Sequence, residues 1–126
     1  MTTVLVDSDI LIEVTRARNT DVVSRWIELG SSDAVILYSP VSVAELWAGA
    51  RPAEHDVLND LFRALTCAPI DHEVGLQAGA YMRQFLRSHA LEVADSLIAA
   101  SAVLNGATLW TRNYKHYPMR DVSFFE

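Results

Sequence analysis

Short apolar, β-branched segments alternate along this chain with segments of helical periodicity, and this alternation limits the fold more than any other feature. The strand-like segments are residues 3–6, 34–38, 67–70, 108–110 and 122–124. The helix-like segments are residues 10–14, 21–29, 40–47, 52–65, 72–88 and 93–105, with Ser39 and Asp71 as N-caps and Gly106 as a stop. Such alternation predicts an α/β domain with a mainly parallel sheet of four to five short strands. In such sheets ligands bind at the carboxyl ends of the strands, so residues directly after strands are the first candidates for chemistry.

The composition narrows the setting in which this fold operates. The 126 residues are 51% hydrophobic, which is typical of one globular domain. The single cysteine, Cys67, has no partner for an internal disulfide, and this fits a reducing compartment. The first residues lack the basic region of a signal peptide, and no apolar run approaches the roughly 20 residues of a membrane helix. We therefore expect a cytoplasmic protein without a membrane-spanning segment.

The formal net charge of −6 argues against a nucleic-acid partner, because such partners usually bind basic proteins. A nucleic-acid partner is compatible with this charge if some of the acids hold metal cations and the basic residues lie around them.

Three acids occupy positions where chemistry is expected. Asp7 directly follows the first strand, Glu45 is the one charge in an apolar helical turn, and Asp95 shares a helix face with apolar residues. Burying Asp95 without a partner is costly, so it should lie at the edge of the core, where it caps the helix or holds a cation. Each acid has a purely structural alternative: Asp7 and Asp95 as helix caps, and Glu45 on a solvated face. After the strand 108–110, Asn113 suits either a turn or a polar contact with a metal or its water.

Four segments together resemble the motifs of the PIN-domain family and, within it, the VapC toxins. They are VLVDSDILI at 4–12, VAELWAG at 43–49, DSLIAASA at 95–102 and LWTRNYKHY at 109–117. The resemblance covers nearly the whole chain. It implies a single PIN domain over residues 1–126 with a three-layer α/β/α sandwich. It also implies an endoribonuclease, the toxin of a toxin–antitoxin pair, that hydrolyses RNA with a metal-activated water and leaves 5′-phosphate and 3′-hydroxyl ends.

Carried over, the resemblance assigns Asp7, Glu45 and Asp95 to a metal-binding acidic cluster. The fourth family position often holds an aspartate, whereas this chain has Asn113, so Asn113 and Thr111 are expected to orient a metal-bound water. Two carboxylates about 4 Å apart repel by roughly 4 kcal/mol at an effective dielectric constant near 20, so three converging acids need a cation or a proton. Oxygen-only ligands favour Mg²⁺ or Mn²⁺ over zinc. Asp9 is a further candidate beside this cluster.

The partners implied by the resemblance are an RNA, with tRNA and rRNA as candidates, a VapB-like antitoxin that covers the acidic site, and a second copy in a homodimer. The basic residues near the motifs are expected to hold RNA phosphates or to be solvated surface charges: Arg16, Arg18, Arg112, Lys115, His116 and Arg120. Tyr114 and Tyr117 suit base stacking or core packing, with packing favoured. Trp47 and Leu61 suit either a protein interface or the core.

Two other functions remain open from the residues. Asp7-Ser8-Asp9 after a strand also resembles the nucleophile motif of haloacid-dehalogenase-type phosphatases. Those enzymes need a later lysine and a further acidic pair, whereas here Lys115 is the only lysine and no adjacent acidic pair occurs downstream of the motif. A degenerate PIN-like module that binds RNA or protein without cutting is the second alternative, and Asn113 is the residue that favours it.

Overall fold

The computed structural model describes residues 2–126 and contains, within them, four strands, six α-helices and two 3₁₀ helices. The strands are β1 (Thr3–Val6), β2 (Val35–Tyr38), β3 (Thr66–Cys67) and β4 (Thr108–Trp110). The α-helices are α1 (Ser8–Arg16), α2 (Thr20–Gly30), α3 (Pro40–Ala48), α4 (His55–Ala64), α5 (His72–His89) and α6 (Val93–Leu104). The 3₁₀ helices are Pro52–Glu54 and Tyr114–His116. The chain is thus an α/β fold in which helices predominate, as the alternating sequence pattern predicted.

The four strands form one parallel sheet in the order β3-β2-β1-β4. Two predicted strands are shorter in the structure than the sequence pattern indicated. The third strand ends at Cys67 rather than at residue 70, because Pro69 lacks the N–H that a strand interior needs. Segment 122–124 makes a single parallel bridge, Leu109 to Phe124, since β4 beside it is only three residues long.

The sheet is covered on both faces, which gives the three layers that the family resemblance implied. Leu5, Leu37 and Leu109 point to a core shared with α5 and α6. Their neighbours along the strands, including Val4 and Trp110, point to a second core with α1, α2, α3 and α4. This alternation follows from the two-residue period of a strand, and it makes both faces of the short sheet apolar.

The helix ends predicted at Ser39, Asp71 and Gly106 are confirmed. Ser39 and Asp71 cap α3 and α5 through their side chains, and Gly106 adopts a φ of +61° just after α6. The helix predicted from Pro52 instead begins as the 3₁₀ turn Pro52–Glu54 and becomes α-helical at His55. None of the helices in the described part of the chain is long and apolar enough to cross a membrane.

Candidate active site

Asp7 lies where β1 ends, and its carboxylate is held from both sides. The residue is only 5% exposed. Its Oδ1 accepts the backbone N–H of Ser8 at 2.7 Å, so Asp7 is the N-cap of α1, as the structural alternative proposed. Its Oδ2 accepts two hydroxyl groups, from Thr111 and from Tyr117, each at 2.8 Å. Capping therefore accounts for only one of the three hydrogen bonds. The other two connect the segment after β4 to this acid.

Ser8 connects the first acid to the second. Its hydroxyl donates to Glu45 Oε1 at 2.8 Å and lies 2.8 Å from the hydroxyl of Ser42. Because Ser8 has a single hydroxyl proton, which Glu45 accepts, Ser42 is the donor to Ser8. Glu45 is exposed overall, yet this contact fixes one of its oxygens at the carboxyl edge of β1 and β2. Sequence reasoning missed Ser8 and Ser42, and the available signal was a hydroxyl within an otherwise apolar helical turn.

Asp95 lies in the first turn of α6 with its side chain 19% exposed. The capping alternative for Asp95 is wrong, because α6 begins at Val93 and the N-cap position belongs to Glu92. The imidazole of His116 lies beside this carboxylate, with its Nδ1 3.4 Å from Asp95 Oδ2. Burial raises the pKa of Asp95 to about 6, His116 opposes this, and the charges of Asp7, Glu92 and Glu45 add to it. The charges of the other two predicted site acids, Asp7 and Glu45, thus act on Asp95.

Asp9 has a different role from the other acids. Its Oδ1 accepts the N–H of Ile10 and its Oδ2 accepts the N–H of Arg112, both at 2.8 Å. Burial and the charge of Asp7 raise the pKa of Asp9, and the two N–H donors lower it. Asp9 therefore anchors the segment after β4 to α1.

Thr111 and Asn113 contribute unequally to this edge of the sheet. The Thr111 hydroxyl is buried, donates to Asp7 and accepts the backbone N–H of Asn113 at 3.0 Å. Its proton is therefore directed to Asp7 rather than to a water. The Asn113 side chain is exposed, and no hydrogen bond joins it to the acids anywhere in residues 2–126.

The predicted RNA-binding residues fall into separate groups. Lys115 and His116 line a cavity of about 110 Å³ that also contains Asp95. The Arg112 side chain is instead paired with Glu13 at 3.3 Å, and Arg18 approaches the same carboxylate at 3.8 Å. Arg16 lines a separate small cavity that includes Glu45. Arg120 lines yet another cavity, beside Tyr81 and Asp121, and so departs from the cluster expected near the last motif.

The aromatic and apolar candidates differ in how deeply they are buried. Tyr117 is buried, so core packing is confirmed and base stacking by its ring is excluded. Burial, followed by the charge of Asp7, raises the pKa of Tyr117, so its hydroxyl remains a donor. Tyr114 is exposed and packs edge-on against Phe124. Trp47 and Leu61 are half-buried and pack against the core beneath α1 to α4, which confirms their core alternative.

The donor set suits a hard divalent cation, although the acids do not form a closed cage. Asp7, Glu45 and Asp95 offer only carboxylate oxygens and repel one another electrostatically. No group of three His, Cys, Asp or Glu side chains within residues 2–126 is close enough to hold an ion alone. Such a site fits Mg²⁺, which usually keeps several waters and binds through one or two carboxylates together with substrate phosphates.

The comparisons with known proteins agree with this geometry. The model of the PIN domain family matches residues 4–122. Ribonuclease VapC10 of Mycobacterium tuberculosis is 35% identical over 117 residues, which span 92% of this chain and 86% of the relative. Ribonuclease VapC19 of the same organism is 30% identical over 116 residues, which span 91% of this chain and 92% of the relative. The fold is similar to that in DNA-bound VapBC from Salmonella typhimurium, with a TM-score of 0.83 at 17% identity. The match covers 99% of this chain and 98% of the other. VapBC-1 from nontypeable Haemophilus influenzae gives a TM-score of 0.80 at 20% identity, and the match covers 99% of this chain and 98% of the other.

Proposed function

This chain belongs to the PIN domain family, in the group of VapC ribonucleases, and we propose that it is a Mg²⁺-dependent endoribonuclease that acts as the toxin of a toxin–antitoxin pair. The observation that carries the proposal is that acids from three separate segments lie near one edge of the sheet, where the charges of Asp7 and Glu45 act on Asp95. Ser8 donates to both Asp7 and Glu45, and the charges of both acids reach Asp95.

Proteins of this family generally depend on a divalent metal ion, and Mg²⁺ or Mn²⁺ is the ion that we propose for this chain. Asp7, Glu45 and Asp95 are the residues that would hold it, with waters completing the ligand set. A bound ion supplies Lewis-acid activation of a water and neutralises charge that develops on the phosphodiester. Without the ion, burial and mutual repulsion penalise the charged form of Asp95.

The remaining side chains would bind and orient the RNA. Lys115 and His116 line the cavity beside Asp95, where a phosphate would lie between their positive groups and the acids. Arg112 and Arg16 flank the site, although Arg112 must share its charge with Glu13. Thr111 and Asn113 support the site through the backbone and through Asp7 rather than through a direct contact. Local positive groups beside an acidic centre are how a chain with a net charge of −6 would bind RNA.

We further propose a VapB-like antitoxin partner and a homodimer. The similar solved structures include VapBC complexes, and their fold spans nearly the whole of this chain. An antitoxin with a basic side chain would fit the acidic centre, because a positive charge there relieves the same repulsion as a metal ion.

The decisive experiment is cleavage of total cellular RNA by the purified, partner-free protein with Mg²⁺, with Mn²⁺ and with EDTA. We expect discrete cuts that disappear in EDTA and fall more than about 100-fold in Asp7→Asn and in Asp95→Asn. Even indirect partners of metal ligands cost roughly 10–100-fold when they are removed. Asp60→Asn, which alters an exposed acid paired with Arg63 on α4, is the matched control and should cut normally.

Two outcomes would contradict the proposal. Cleavage by Asp95→Asn at the parent rate would show that the acids are wrongly assigned. Folded protein that binds RNA but cuts none at any metal concentration would favour the non-catalytic PIN-like module.

A further inference from the structure

We propose that Tyr117 is a positioning residue for metal binding, because its buried hydroxyl holds Asp7 so that only Oδ1 is free to receive the ion. The inference rests on the proposed function, since it takes Asp7 to be a metal ligand. It gives Tyr117 a role at the site other than the base stacking or core packing considered from the sequence.

The hydrogen bonds of Asp7 determine which oxygen is free. A carboxylate has about four lone-pair positions, two on each oxygen. The hydroxyls of Thr111 and Tyr117 occupy both positions on Oδ2, at 2.8 Å each. Oδ1 accepts one hydrogen bond, from the Ser8 N–H at 2.7 Å, and keeps one position open.

The free oxygen also lies on the appropriate side of Asp7. Ser8 donates its N–H to Asp7 Oδ1 and its hydroxyl to Glu45 Oε1, so these two oxygens share one neighbour. Oδ2 instead accepts hydroxyls from the segment after β4. An ion bound through Oδ1 therefore meets the second acid, whereas one bound through Oδ2 would have to displace a buried hydroxyl.

Tyr117 is fixed well enough to enforce this choice. It is 3% exposed and packs in the core formed with α5 and α6. Its ring is anchored apart from the acids, so its hydroxyl acts as a fixed donor. Removing the hydroxyl would free a position on Oδ2 and loosen the Asp7 carboxylate without opening a large cavity, because Phe keeps the ring.

Tyr81 provides a matched control within the same chain. It is 4% exposed, and its hydroxyl also donates to an aspartate, at 2.9 Å from each oxygen of Asp121. Tyr81→Phe and Tyr117→Phe thus remove the same group from the same kind of contact. Only Tyr117 contacts a proposed metal ligand.

The test is Mn²⁺ binding to the full-length, RNA-free protein, measured by electron paramagnetic resonance of the free ion and by calorimetry. Wild type, Asp7→Asn, Tyr117→Phe and Tyr81→Phe are compared, and a thermal melt of each in EDTA reports stability. We expect Tyr117→Phe to weaken Mn²⁺ binding about 10-fold or more, as for other partners of metal ligands. Tyr81→Phe should stay within about two-fold of wild type, because separate sites act independently.

The outcomes separate this inference from the proposed function. If Asp7→Asn loses Mn²⁺ binding and Tyr117→Phe does not, the positioning role is wrong and the metal site stands. The role is also wrong if both Phe variants weaken Mn²⁺ binding equally, since the effect is then one of general stability. If Asp7→Asn binds Mn²⁺ as wild type does, Asp7 is not a ligand, and both the site assignment and this inference are overturned.

Discussion

Asp7 and Asp95 belong to the same proposed site but are held in opposite ways. Asp7 is almost fully buried and accepts three hydrogen bonds, from a backbone N–H and two hydroxyls. Asp95 is half-buried, and within the described residues it accepts no hydrogen bond and has His116 as its one ion-pair partner. Burial raises the pKa of Asp95 to about 6, against the opposing effect of His116.

The difference separates two contributions to one site. Asp7 contributes to the folded structure as well as to the proposed metal site, because it caps α1 and accepts the Tyr117 hydroxyl. Asp95 contributes little to the fold and faces repulsion that a cation would relieve. The proposed site therefore combines an acid that hydrogen bonds already hold in place with one whose charged form burial and neighbouring acids disfavour.

The largest effect that tests this comparison is on stability. Asp7→Asn should lower the free energy of unfolding by about 1–3 kcal/mol, because the new amide group faces donors that the carboxylate satisfied. Asp95→Asn should change it by less than about 0.5 kcal/mol at neutral pH, or raise it, because the position lacks such donors. Urea unfolding in EDTA measures both variants under metal-free conditions. Equal losses for the two variants would remove the distinction between the two acids.

The second effect is on the pH dependence of stability. The folded pKa of Asp95, about 6, lies above its ordinary value of 3.8, so the folded state holds this proton more tightly. Stability from this group is therefore present at low pH and is lost as pH rises from about 4 to about 6. In EDTA, the stability of wild type relative to Asp95→Asn should fall between about pH 4 and pH 6. The groups whose charges act on the pKa of Asp95 are His116, Asp7, Glu92 and Glu45, and His89 and Lys115 line the same cavity.

His116 provides the control for this pH effect. It lowers the pKa of Asp95, so His116→Gln should raise that pKa further. The same comparison in the His116→Gln background should then show a larger total fall that extends to higher pH. A fall that vanishes in this background would mean that the imidazole, and not the buried carboxylate, causes the pH dependence.

The sequence was sufficient for the order of strands and helices, because that order follows from local patterns, whereas the three layers and the acidic cluster were implied by the family resemblance. Strand and helix periods, the Ser39 cap and the Gly106 stop are properties of neighbouring residues. The position of Asp7 at the end of β1 also follows from chain order in a parallel sheet. Segment boundaries were less certain, as the early end of β3 shows.

The contacts that distinguish the acids could not be predicted in this way. Tyr117 and Asp7 are far apart in the sequence, and their hydrogen bond depends on how the chain packs after β4. The sequence favoured core packing for Tyr117, which is correct for its ring but not sufficient for its hydroxyl. Arg112 likewise looked free for RNA, whereas Glu13, a turn beyond Asp9 on α1, lies close enough to pair with it.

The smallest expected effect concerns RNA binding on the two sides of the site. Lys115 lies beside Asp95 and has no carboxylate partner within 4 Å among residues 2–126, whereas Arg112 is tied to the Asp7 side through Asp9 and Glu13. In the Asp95→Asn background, which prevents cleavage, Lys115→Ala should weaken binding of a labelled mixed-sequence single-stranded RNA several-fold. It should also reduce the slope of log affinity against log salt by about 0.7, the value for one phosphate contact on a single strand.

Arg112→Ala should change that affinity less than Lys115→Ala, because the guanidinium is already paired with a carboxylate that is mostly buried. Glu13→Gln is the informative companion, since it keeps the shape of the side chain and releases the charge of Arg112. If Glu13→Gln strengthens RNA binding and Arg112→Ala then removes the gain, the ion pair restrains Arg112 in the free protein. If Arg112→Ala alone is the more damaging variant, the pair opens when RNA binds, and the substrate crosses the Asp7 side of the site rather than the Asp95 side.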